Sequence, residues 1–144
     1  MKYIFTILII CISLNIYSQD MKLKNKDKKV NIQLIKSGKF IQEIKHPKAS
    51  PGYFMVINGS LRYDYAENGK YYTKSKIKFV KPDVIESIAY ETTVPNFNCH
   101  MEEIVETKIL ETSTQDSLIR MKERINKGRW QIYVLRKVKI ENEL

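Results

Sequence analysis

Asn98-Cys99-His100-Met101 sets a thiol beside an imidazole, the pairing from which thiolate nucleophiles and zinc sites are built. Neighbouring strand residues point to opposite faces, and zinc needs two further ligands that the sequence does not obviously supply. Cys99 is therefore read as a small buried hydrophobe or as a free, reactive thiol, and no metal or cofactor is implied. The other histidine, His46, sits in a Pro- and Gly-rich loop. Carboxylates gather at Glu102-Glu103 and around Asp83 and Glu86, the latter beside Ser87. Glycosidic chemistry would hold two carboxylates apart across a pocket, and nothing in the chain signals a pocket. Asp83 and Glu86 follow Pro82 and fit a helix start, where proline and negative charge are both favoured. There is no G-x-S-x-G elbow, no phosphate-cradling glycine loop and no H-E-x-x-H. Nine tyrosines could line a binding face, but Tyr is an ordinary sheet residue and packing is the simpler role.

The elements that would position these residues begin after a leader. Lys2, the apolar stretch Ile4 to Leu14 and the small Ser18 have the layout of a secretory signal peptide, residues 1–18, and the stretch is short for a bilayer span. Removing those 18 of the 144 residues leaves 126, enough for one domain. The formal charge of +9 falls to +8 with the loss of Lys2. Cys11 would leave too, so Cys99 could form no internal disulfide. Basic residues concentrate in 19–29, read as a flexible leader, and at Arg120, Lys122, Arg124, Lys127 and Arg129. An exported chain rarely meets nucleic acid, so an anionic envelope surface is the partner this balance suggests.

Residues 30–144 read as one α+β domain, a small mixed sheet with two or three short helices. Val30, Ile32 and Leu34 alternate as a strand, Lys36 to Lys39 turn, and a hairpin returns through Phe40 and Ile41. Strands follow over Tyr53 to Ile57, over Leu61, Tyr63 and Tyr65, and from Tyr71 to Val80, with turns at Asn58-Gly59 and Asn68-Gly69. Residues 81–94 suggest a helical turn feeding a strand. Met101, Ile104, Val105 and Ile109 fit a helix, while Val105, Thr107 and Ile109 also fit a strand face. Ser113 or Thr114 would cap a helix carrying Leu118, Met121 and Ile125 on one face and closed by Gly128. WQIYVLRKVKI alternates as a C-terminal strand.

Three segments in order, YFMVING at 53–59, VKPDVIESIAY at 80–90 and NKGRWQIYVLRK at 126–137, resemble the plug domain of Bacteroidetes-type TonB-dependent outer-membrane receptors. Val56, Ile57 and Gly59 match the family's first strand and turn. Pro82, Asp83, Ile85, Glu86, Ser87 and Ile88 match its N-P-x-D-I-E-S-I segment, and Gly128, Ile132 and Lys137 match its closing strand. The resemblance covers 53–137 and implies a plug-like fold. A receptor barrel of about 22 strands would need on the order of 200 residues in strands alone, more than the mature chain holds. A barrel of about 8 strands is possible by length, but the helix-capping pattern at 113–128 argues against it.

The resulting expectation is an exported, non-enzymatic interaction module of the periplasm or outer membrane, without a membrane span after signal cleavage. It would recognise an envelope protein or anionic envelope surface through Asn58, Gly59, Asn68 and Gly69 and through Arg120, Arg124 and Lys127. The competing expectation is a small secreted enzyme or enzyme inhibitor acting through Cys99 and His100.

Overall fold

A computed structural model describes residues 22–43, 52–96 and 101–139. Eight strands, β1 (Ser37–Gln42), β2 (Phe54–Asn58), β3 (Leu61–Ala66), β4 (Tyr71–Lys81), β5 (Val84–Thr92), β6 (Ile104–Ser113), β7 (Leu118–Ile125) and β8 (Gln131–Val138), pair in sequence order. Every pairing is antiparallel, and β8 returns to β1 to close a barrel with no free edge. The connections explain the up-and-down order. Asn58 pairs with Leu61 and Lys81 with Val84, so Gly59-Ser60 and Pro82-Asp83 are two-residue hairpin loops. Gly59 takes φ 61°, a left-handed conformation that favours glycine. Between β7 and β8, Asn126 and Lys127 are both left-handed, at φ 46° and 61°.

Phe40, Met55, Ile57, Ile77, Ile85, Ile109, Ile119, Met121 and Leu135 form the apolar core of the interior, each contributing about 1.5–3 kcal/mol if fully buried. A 3-10 turn, Ile32–Leu34, packs against this core together with Val30, and Ile35 behind it joins the core. Asn31 caps that turn through its side chain on the Gln33 amide, and Lys137 Nζ donates to the Leu34 carbonyl at 3.2 Å. Residues 22–31 lie against β6 and the β6–β7 turn. Asp27 accepts hydrogen bonds from the Thr112 hydroxyl (2.6 Å), the Thr114 hydroxyl (2.9 Å) and the Thr114 amide (3.1 Å), while its own amide donates to the Thr112 carbonyl (2.7 Å). Leu23 is buried, and its amide donates to Glu111.

The α+β expectation is overturned: among the described residues the chain is strands, turns and 3-10 turns only. With it falls the plug-like resemblance, since a plug-like domain would be mixed α/β whereas this is a closed all-β barrel. The helix start at Pro82-Asp83 is a hairpin turn, because β4 and β5 pair directly on either side of it. The helix expected over 113–128 is β7, whose inward Ile119 and Met121 alternate with outward Arg120 and Lys122. Leu118, Met121 and Ile125 do recur at helical spacing, but Ile119 is fully buried and belongs to no such face. Of the two readings offered for Val105 to Ile109, the strand is the one observed, with Thr107 and Ile109 buried in β6. The first hairpin is also corrected: Val30 to Leu34 packs as a turn against the barrel, and β1 begins only at Ser37. The strands expected after Tyr53, Leu61, Tyr71 and Trp130 are present.

Candidate functional site

β3 carries an inverted pattern. In Leu61-Arg62-Tyr63-Asp64-Tyr65 the charged residues point into the barrel and the apolar ones out, as the 8% exposure of Arg62 shows. Arg62 is bracketed on one side by Asp64, two residues along the same strand face. Its Nε lies 2.8 and 3.1 Å from the Asp64 carboxylate oxygens and its Nη2 2.9 Å from Oδ1. On the other side it crosses the barrel to β7 on the opposite wall, where Nη1 donates to Glu123 Oε1 at 2.6 Å. Thr107 donates to the same Glu123 oxygen at 2.8 Å, and the Tyr53 hydroxyl donates to Asp64 Oδ1 at 2.6 Å.

The electrostatics follow from this packing. Burial opposes the Arg62 charge, but Asp64 and Glu123 outweigh it and hold the guanidinium protonated well above its ordinary range. Burial first, and then the negative charge of Asp64, raises the Tyr53 phenol well above its ordinary value. Burial pushes Tyr133, which donates to Gln131, up to about 12, with Glu123 adding to the effect. At neutral pH both phenols are therefore protonated. Asp64 Oδ1 already accepts from Tyr53 and from two guanidinium nitrogens, and Glu123 Oε1 from two donors. The cluster is saturated at those atoms and acts as a brace between opposite walls. Among the described residues no group of three or more His, Cys, Asp or Glu is placed to hold a metal ion.

The outer wall over β1 to β5 is different. Phe54 and Tyr65, a cross-strand pair, stack at 4.5 Å between ring centres, and Tyr63 and Tyr72 flank Tyr65 at 6.2 Å each. Lysines lie over these rings. Lys39 Nζ is 4.5 Å from the Phe54 ring centre, Lys74 Nζ 5.4 Å from Tyr63 and 5.5 Å from Tyr90, and Lys76 Nζ 5.5 Å from Tyr90. Lys74, Lys76 and Lys78 alternate along β4 and so share its outward face. Lys74 has Glu91 at 3.9 Å, whereas Lys39, Lys76 and Lys78 are in no ion pair among the described residues. On the β6–β8 side Arg120 is paired with Glu111 (3.6 Å), Arg124 with Glu106 (3.0 Å) and Arg136 with Glu43 (2.6 Å), while Lys122 lies 4.3 Å over the Trp130 ring and Lys137 donates to the Leu34 carbonyl.

The residues singled out from the sequence do not converge. Asn58-Gly59 and Asn68-Gly69 lie at opposite ends of β3, and Asn68 is left-handed at φ 58°, as expected of a turn. Arg120 and Arg124 face out from β7 in ion pairs, Arg124 also lying 4.3 Å over the Trp130 ring, and Lys127 is in the following turn. Glu86 points out from β5 while Ser87 points in, so they do not share a site. Cys99, His100 and His46 fall outside the described residues. Tyr53 is among the tyrosines that could line a binding face, but Arg62, Asp64 and Glu123 are not among the residues singled out; the alternation of charges with aromatics in LRYDY is the signal that marks Arg62 and Asp64. Compared with known proteins, the chain matches no family model, no curated protein and no solved structure. What fold and site define is a small up-and-down barrel with a braced interior and an aromatic, lysine-bearing outer wall.

Proposed function

We propose that the protein is an exported, non-enzymatic binding module of the cell envelope that engages an anionic partner through the wall formed by β1 to β5. One observation carries this reading: Lys39 and Lys76 stand over the aromatic rings of one wall, and they and Lys78 have no ion pair among the described residues. That wall thus presents ammonium groups held over an aromatic platform, where complementarity would orient an incoming polyanion. The aromatic rings beneath the lysines hold their stems against the sheet, which lowers the freedom lost on binding.

Retention on dextran sulfate beads, against uncharged dextran beads, is the measurement. Binding should be present at 0.1 M salt, where the screening length is about 10 Å, and be lost near 1 M, where it is about 3 Å. Lys39→Gln with Lys76→Gln should elute earlier, and Arg120→Gln with Arg124→Gln should elute unchanged. Equal elution of both pairs would place the binding charge elsewhere and remove the proposal.

A further inference from the structure

That wall and the adjoining start of β6 carry apolar side chains that a soluble polyanion would have no use for. Val80, Ile88, Tyr90 and Ile104 are 38%, 42%, 40% and 44% exposed, large values for residues of this kind. Ile88, Tyr90 and Ile104 are arranged with the cations. Lys76 pairs in register with Ile88, and Ile88 with Ile104, so a lysine and two isoleucines form one continuous outward row across β4, β5 and β6. Tyr90 sits above that row with Lys74 and Lys76 each 5.5 Å from its ring centre. Lys78 stands one step along β4, opposite Glu86 in register. Ile104 is held in place at both its amide and its carbonyl by Asn126, at 3.1 and 3.0 Å.

An exposed isoleucine pair, an amphipathic tyrosine and lysines with apolar stems are the components of a surface that rests in a bilayer interface. The aliphatic groups enter the acyl boundary, the phenol sits at headgroup depth, and the ammonium groups meet lipid phosphates. The charged residues elsewhere on the outer surface, among them Glu106, Lys108, Lys122 and Arg124, exclude the alternative of a barrel immersed in lipid, which needs an apolar band all round. We infer that the outward face of β4, β5 and the start of β6 docks this protein on an anionic lipid bilayer, with Ile88 and Ile104 at its centre. This rests on the anionic-partner reading and adds the kind of partner to it.

Flotation with phosphatidylglycerol/phosphatidylcholine vesicles, against pure phosphatidylcholine vesicles, tests the inference, with dextran sulfate retention measured in parallel. The wild-type chain should float only with the anionic vesicles. Lys76→Gln with Lys78→Gln should weaken vesicle binding by roughly 25-fold, about fivefold per lysine. Ile88→Ser with Ile104→Ser should weaken it about fivefold or more while leaving dextran sulfate retention as it was. Both isoleucines point away from the core, so the circular dichroism spectrum should be unchanged. Full vesicle affinity in the isoleucine variant overturns the docking face. Retention on dextran sulfate without flotation overturns the lipid partner and leaves the anionic-partner reading standing, with a soluble polyanion as its ligand. Failure of both assays removes both.

Discussion

Replacing Arg62 by Met should destabilise the barrel by about 3–5 kcal/mol, the loss found when one partner of a buried ion pair is removed. The magnitude follows from what remains. Arg62, Asp64 and Glu123 have side chains only 10%, 22% and 15% exposed, so solvent screens the two orphaned carboxylates poorly. The variant also strips Asp64 of its guanidinium partner and leaves Glu123 with the Thr107 hydroxyl as donor. Small domains are stable by about 5–15 kcal/mol, so the loss is a large share of the total. Urea unfolding followed by circular dichroism measures it, and an unchanged m-value keeps the comparison valid. The triple change Arg62→Leu, Asp64→Leu and Glu123→Leu should recover most of the stability, because no buried charge is left. A loss below about 1 kcal/mol for Arg62→Met, the range of an exposed ion pair, would refute the brace.

Asp27 gives a pH-dependent counterpart. The Thr112 hydroxyl and the Thr114 amide hold its carboxyl below the ordinary 3.8, so its contribution is present above that value and is lost as the pH falls through the lower, folded one. The protection of the amides of residues 22–31 against hydrogen exchange, relative to the unfolded chain, should fall over that window, and Asp27→Asn should show low protection there at neutral pH. Glycine substitutions should separate by environment. Gly59 and Gly52 both have positive φ, yet an added methyl at Gly59 meets nothing within 4 Å, whereas at Gly52 it comes within 2.7 Å of the Asn68 backbone nitrogen. Gly59→Ala should therefore cost about 1 kcal/mol and Gly52→Ala clearly more, as midpoints of thermal unfolding would show.

Much of the strand layout was legible because turn chemistry and period-2 alternation coincide in it. FMVI ends at Asn58-Gly59, and Ile132 and Val134 alternate with polar residues in β8. The errors came where two signals disagreed. Leu118, Met121 and Ile125 at helical spacing, with Ser113 upstream and Gly128 downstream, satisfy every local rule for a helix. Closure of the barrel supplies β6 and β8 as partners on both sides of β7, and that tertiary pairing overrides the local preference. Pro82-Asp83 failed for a related reason, since a proline before an acidic residue opens a turn as readily as a helix. The outer wall was hidden because its content is an arrangement across strands: Lys76, Ile88 and Ile104 are far apart in sequence and become neighbours only through register.

The interior cluster was illegible for a more specific reason, which bears on why the cluster is there. Read by hydrophobicity, β3 should turn Leu61, Tyr63 and Tyr65 inward, yet it buries Arg62 and turns the half-buried Asp64 inward instead. A shift of one residue would reverse its faces and place the aromatics inside. Burial of apolar area alone would favour that slip. What opposes it is the bond from Arg62 to Glu123 across the barrel, because a slipped β3 would turn the guanidinium to solvent and leave Glu123 unpaired inside. Outside, the native register also sets Phe54 against Tyr65 and Tyr63 against Lys74, contacts that the slip would break. The brace and the aromatic wall are thus two faces of one strand's register. The all-leucine variant proposed above should keep its stability while losing that specification, with a second set of β3 amide signals in its NMR spectrum as the sign.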